Sequence, residues 1–185
     1  MSDKTIPEPW LSFLTEIDSS IESEVSFHCF GAFAITLLYG LPRATSDVDV
    51  MSAAVGNHYD ELETLAGKNS ALHKKHRVYL DLVGSIATVP DHYEHRLISI
   101  SPTTFEKIKF YVMEIHDIIL SKLNRNSPKD IQDVQHLAKV SEIDTQFLRE
   151  RYQQELRHNV IGPPSRVDHT LEMWIEVIEE HRSSR

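Results

Sequence analysis

Cysteine is nearly missing: Cys29 stands alone, so the chain can close no internal disulfide and build no multi-cysteine zinc site. Positive charge is also scarce, with 19 Lys and Arg against 28 Asp and Glu and a formal net charge of −9. That balance argues against a broad nucleic-acid-binding surface while leaving room for a local basic patch. No apolar run can span a bilayer; the longest, "CFGAFAITLLYGL", is short and broken by glycine. The opening "MSDKTIPEPW" lacks the basic-then-apolar order of a secretory signal, so a cytoplasmic protein is expected. Glycine is sparse, with 6 residues, and there is no repeat or low-complexity tract. At 41% hydrophobic and 25% charged, the composition is that of a globular chain rather than a disordered one. Its 185 residues suffice for one domain with a core of its own, or for one domain plus a small helical appendage.

Hydrophobic spacing gives the elements. "WLSFLTEIDSSIES" (10–23) places Trp10, Phe13, Leu14, Ile17 and Ile21 at helical intervals. "VSFHCF" reads as a short strand, followed at once by the helix-length "GAFAITLLYG", opened by Gly31 and ended near Gly40. "TSDVDVMSA" is a second strand, "HYDELETLAGK" a helix closed by Gly67, and "HRVYLDLVGS" a third strand. "RLISIS" and "KIKFYVME" are further strand candidates. Beyond His116 the pattern is helical: "HDIILSKLNRN", then "SPKDIQDVQHLAKV" with Ser127 as cap and Pro128 at the first helical position. "DTQFLRERYQQELRH" and "SRVDHTLEMWIEVIEEHR" follow as helices, separated by the break "IGPP". The order predicts a mixed α/β (α+β) core over residues 1–115 and a helical subdomain over 116–185.

Within this frame the acidic strands stand out. Residues i and i+2 of a strand share a face, so Asp47 and Asp49 project together while Val48 and Val50 point to the core. Asp81 interrupts the third strand between Leu80 and Leu82. Three strand-borne carboxylates suit a hard, oxygen-seeking cation such as Mg²⁺ and, with two ions, a two-metal site. The plainer reading is a set of exposed strand carboxylates. Gly31, at a strand–helix junction, either brings backbone N–H groups to a phosphate or makes an ordinary tight turn.

Taken in order, strand, Gly31–Ala32, helix and then "GLPRATSDVD" resemble the nucleotidyltransferase superfamily of the DNA polymerase β fold. The closer likeness is to its small bacterial branch with the AbiEii-type toxins. Gly31, Gly40, Pro42, Arg43, Thr45, Asp47, Asp49 and Asp81 carry the likeness. A second block, "HDIILSKLNRNSPKDIQDVQHL", matches through Asp117, Lys122, Leu123, Arg125, Asp130, Asp133 and Leu137. The similarity covers roughly residues 25–140. One position departs: the family usually places Gly or Ser after the first glycine, where this chain has Ala32.

The resemblance implies a small mixed sheet flanked by helices and a nucleoside triphosphate (NTP) as substrate. It implies transfer of a nucleoside monophosphate to a hydroxyl of an RNA, such as a tRNA end, or of a protein. Asp47, Asp49 and Asp81 would hold two Mg²⁺ ions. Asp81 would also help deprotonate the acceptor. Lys122 would neutralise phosphate charge, and Gly31, Ala32, Arg43 and Thr45 would line the nucleotide. Asp130 and Asp133, at i and i+3, would either bind substrate or steady Lys122 and Arg125. A toxin with a cognate antitoxin, or a phage-defence pair, is the biological setting implied. The alternative is a non-catalytic nucleotide- or partner-binding protein of the same fold, with no membrane role in either case.

Two further features have plain readings. "HKKHR" (73–77) is either a nucleic-acid contact or, as preferred, a loop before the third strand. The pairs His73/His76 and His92/His95 lack a third ligand nearby and are expected to be surface or satisfied histidines. Leu171, Trp174, Ile175 and Ile178, at core spacing, mark a packing or dimer helix.

Overall fold

The computed structural model describes residues 6–84, 88–100 and 105–183. The tails of the third and fourth strand segments, at Ser85 and Ser101, lie outside the described residues, as do residues 1–5. The chain divides into two units, Met1–Ile86 with Leu97–Met113, and Ala87–Arg96 with Glu114–Arg185.

The first unit grows from alternating apolar segments. β1 (Val25–Cys29), β2 (Asp47–Met51), β3 (Tyr79–Val83), β4 (Ile98–Ser99) and β5 (Ile108–Val112) form one mixed sheet in the order β3-β2-β1-β5-β4. β1 runs parallel to β5 and antiparallel to β2, while β2 and β3 are parallel. The buried members of each alternation, Val25, Phe27 and Cys29, Val48 and Val50, Leu80 and Leu82, Ile108, Phe110 and Val112, build the core. Because side chains alternate strictly, burying these sends Asp47, Asp49, Tyr79 and Asp81 to the other face.

Helices close the unit. α1 (Trp10–Ser20) buries Trp10, Phe13, Leu14 and Ile17 as its spacing predicts. α2 (Gly31–Tyr39) is apolar almost throughout and stops at Gly40, which takes a left-handed φ of 64°. α3 (Ser52–Val55) follows β2 directly, and α4 (Tyr59–Ala66) ends at Gly67.

The segment "HKKHR" is a correction: it is not a loop. α5 (Ala71–His76) contains most of it, because the Ser70 hydroxyl caps the His73 N–H at 3.1 Å and Arg77 ends the helix in the left-handed region. Two of its basic residues are already engaged, Lys75 and His76 each meeting Glu16 of α1, at 2.6 and 2.8 Å.

The second unit is helical. α6 (Ile115–Lys122) is capped by Glu114, α7 (Pro128–Val140) by a reciprocal Ser127–Asp130 capping box, and α8 (Thr145–Arg151) by Asp144. α8 does not continue as the single helix expected; it passes into a π turn, Tyr152–Leu156, and a 3₁₀ turn, Arg157–Asn159. Gly162, at φ 86°, makes the predicted break, and α9 (Pro164–Ser183) packs Leu171, Trp174, Ile175 and Ile178 inward. Residues 87–96 join this unit through Arg96. Its guanidinium donates to buried Asp117 at 3.0 and 3.1 Å and to Glu155 at 2.7 Å. Among the described residues no helix is long and apolar enough to cross a membrane.

Asp18 of α1 pins the start of β5. Its carboxylate accepts the backbone N–H groups of Glu106, Lys107 and Ile108 at 2.7–3.0 Å. Burial pushes the Asp18 carboxyl up, but those three donors and Lys107 outweigh it and hold the group below the usual aspartate range. A depressed folded-state value means that the stabilisation is present above the ordinary aspartate range and fades as pH falls through the lowered one. Asp18→Ala is expected to cost about 3 kcal/mol by orphaning these donors. Urea midpoints at pH 7, and a smaller difference from wild type near pH 3, are the measurements.

Candidate functional site

β2 and β3 pair in register, Asp47 opposite Tyr79 and Asp49 opposite Asp81. Parallel pairing keeps facing residues on one side of the sheet, so two strands deliver three carboxylates to one spot. One oxygen from each of Asp47, Asp49 and Asp81 lies within 4.8 Å of the others, with the first two half-buried and Asp81 exposed. Asp81 therefore faces its two predicted companions.

The surroundings tighten the cluster. The Thr45 hydroxyl donates to Asp47 Oδ1, fixing that carboxylate from the loop before β2. The Phe30 N–H donates to the Asp49 carbonyl at 3.1 Å, tying the end of β1 to β2. Gly31 comes next, at φ 67°, and a Cβ built there would stand 1.8 Å from Asp49 Oδ2. No side chain fits in that position, both for backbone conformation and for space. Gly31 and Ala32 open α2, whose N-terminus has no side-chain cap; its first N–H groups lack intrahelical acceptors and carry the positive end of the helix dipole. Arg43 is half-buried in the loop between α2 and β2.

Electrostatics report the crowding of like charge. Burial pushes the Asp81 carboxyl up and Asp47 adds to it, while Lys68 pulls it down. Tyr79 is raised by burial and then by Asp47, Asp81 and Asp49 in turn. Buried Cys29 is raised by burial and by Asp49. Three oxygen-only carboxylates in mutual reach, pressed against a position where even a methyl group cannot stand, fit a hard divalent cation by charge and donor type.

Two neighbours had not been singled out from the sequence. Tyr79 shares the carboxylates' face, two residues before Asp81. The Lys68 ammonium lies 5.9 Å from the centre of its ring. The available signals were the period of two through Tyr79 and Asp81, and the absence of any acidic residue from Thr64 to Leu80.

Comparison with known proteins gives the chain a family. Residues 12–182 match the family described as "Nucleotidyltransferase of unknown function (DUF6036)". The chain belongs to this family. The superfamily resemblance read from the two sequence blocks is thereby shown, and the five-stranded mixed sheet flanked by helices accords with a nucleotidyltransferase core. No curated protein and no solved structure matches the chain.

The second block of the resemblance forms a cluster within the second unit. Lys122 is 3% exposed, and its ammonium meets Asp133 at 2.9 Å and Asp130 at 3.4 Å. Arg125 adds a two-pronged contact to Asp130, at 2.8 and 2.5 Å. Burial raises the Asp130 carboxyl, but Arg125, Ser127 and Lys122 overcome this and hold it far below the usual range. Of the two roles open to Asp130 and Asp133, these contacts display the steadying of Lys122 and Arg125. Asp117, from the same block, is fully buried between Arg96 and Arg151. His116 Nδ1 donates to the Glu114 carboxylate at 3.0 Å, His73 Nδ1 accepts the Asn69 N–H at 2.9 Å, and the rings of His92 and His95 stack with centres 5.8 Å apart.

Two expected outcomes follow from these clusters. Asp81→Asn relieves repulsion between facing like charges, so the metal-free protein gains about 0.2–1 kcal/mol of stability. Mn²⁺ is expected to raise the melting temperature of wild type and to lose that effect in Asp81→Asn; calorimetry with and without Mn²⁺ measures both. Lys122→Ala leaves two carboxylates buried without their shared cation and costs about 3–5 kcal/mol, read from urea unfolding.

Proposed function

We propose that this protein is a Mg²⁺-dependent nucleotidyltransferase that moves a nucleoside monophosphate from an NTP to a hydroxyl of an RNA or a protein, as the toxin of a toxin–antitoxin or phage-defence pair. The observation that carries the reading is the convergence of Asp47, Asp49 and Asp81 beside Gly31, in a chain of nucleotidyltransferase family. Bound divalent cations would supply charge neutralisation at the triphosphate and polarise the phosphorus under attack.

The chain's own groups have separable tasks. Asp47 and Asp49 hold the metal side of the site, with Thr45 keeping Asp47 in one orientation. Asp81 faces them from β3, completes the set of carboxylates that would hold the metal ions, and is placed to take the proton of an attacking hydroxyl. Gly31 and Ala32 present backbone N–H groups to phosphate at the start of α2, and Arg43 contributes from the preceding loop. Lys122, Asp130 and Asp133 enter as the residues that lock α6 to α7, the role their mutual bonds support. Work of this kind rests on positioning and on fixed charge rather than on covalent chemistry.

Incubation with each labelled NTP, Mg²⁺ and total RNA or cell lysate tests the proposal. Label is expected to pass to RNA or protein, and Asp47→Ala is expected to reduce transfer by more than about a hundredfold. Absence of transfer from every NTP to every fraction overturns the catalytic reading. Nucleotide binding without turnover would then favour the non-catalytic alternative, to which the missing hydroxyl at Ala32 lends some support.

A further inference from the structure

We infer that Lys68 is a two-state cation of this site: it screens the carboxylates when metal is absent and binds the polyphosphate of the nucleotide once metal has taken over that screening. This deepens the reading above and rests on it. The observations come from the short connection between α4 and α5. The Lys68 ammonium stands 5.9 Å from the centre of the Tyr79 ring, within the range at which an aromatic face attracts a cation. Tyr79 is the register partner of Asp47 and precedes Asp81 by two residues on the same face. A cation on that ring is therefore beside the carboxylates, and its charge is felt at Asp81.

The connection is held in place. Gly67 ends α4, where a Cβ would come within 2.4 Å of the Glu63 carbonyl. Asn69 takes a left-handed φ of 72° and its N–H donates to His73 Nδ1 at 2.9 Å. The His73 ring in turn lies against Tyr79, 4.9 Å between centres. Backbone and ring are thus fixed on both sides of Lys68, while Lys68 itself is exposed and free to move its ammonium over several ångströms.

Charge explains why it should change partners. Before metal binds, the negative charge of the carboxylates attracts this flexible ammonium. Two divalent ions reverse the sign at the cluster, and the ammonium is then repelled from it as a polyphosphate brings fresh negative charge. Lys122 is engaged by two buried carboxylates, and Lys75 by Glu16. The acidic residue nearest to Lys68 along the chain is Glu63, whose carboxylate lies against Gly67.

The experiment measures two affinities with opposite expected signs. In Lys68→Ala, Mn²⁺ alone should bind about twofold to fivefold more tightly, because a competing exposed charge is gone. Mg²⁺-ATP should bind about tenfold or more weakly, because a charge-assisted phosphate contact is lost. Lys68→Arg should recover most of the nucleotide affinity, and Lys74→Ala, an exposed cation on α5, should change neither value by more than about twofold. Calorimetric titration gives both constants, with melting temperature as the check on folding. Unchanged nucleotide affinity in Lys68→Ala, or a loss of both affinities together, overturns the inference and leaves the nucleotidyltransferase reading standing. Failure of wild type to bind Mn²⁺, or to bind the Mg²⁺ complex of any of the four NTPs, overturns both.

Discussion

Mutual repulsion among three carboxylates is the constraint around which the first unit is arranged. Asp47, Asp49 and Asp81 are brought within 4.8 Å of one another by the pairing of β2 with β3. In that pairing Val48, Val50, Leu80 and Leu82 are buried, so the acids have no freedom to turn away without exposing core. The hydrophobic effect holds together what electrostatics would separate. Three carboxylates gathered in this way suit a hard, oxygen-seeking cation by charge and donor type.

The neighbouring backbone is shaped by the same cluster. Gly31 turns the chain from β1 into α2 at a place where Asp49 Oδ2 occupies the volume a side chain would need. One residue thereby meets three demands: a positive φ, close passage beside a carboxylate, and the start of a helix whose N–H groups face outward along its axis. On the far side of the sheet α2 buries Phe33, Ala34 and Ile35, so the helix cannot drift from the site it begins. The helical unit solves its own charge problem differently. Lys122 with Asp130 and Asp133, and Asp117 with Arg96 and Arg151, are buried ion pairs in which each charge finds its opposite within the protein. Breaking such a pair is costly because it leaves a charge buried without its partner.

Much of this was legible along the chain. The i, i+2 spacing of Asp47 and Asp49 identified a shared face, and Asp81 stood out because a charge had replaced an expected apolar residue. Helix caps at Ser127 and breaks at Gly40, Gly67 and Gly162 were readable from residue type alone. Lys122 shows the limit. A lysine in a helix has the same local pattern whether it faces phosphate or lies buried between Asp130 and Asp133, since its partners lie 8 and 11 residues away. "HKKHR" shows another, because a six-residue helix with one apolar anchor, Leu72, has too little periodicity to announce itself.

Local preference and periodicity, written in the order of residues, determined the strands, most helices, their ends and the side of β2 on which acids would lie. Tertiary structure decided the partners: that Asp81 meets Asp49 rather than solvent, that Lys122 belongs to two buried aspartates, and that Lys68 rests on Tyr79. The physical reason is range. Spacing along a chain encodes which way a side chain points, whereas the identity of what it meets depends on strand register and packing between segments tens of residues apart.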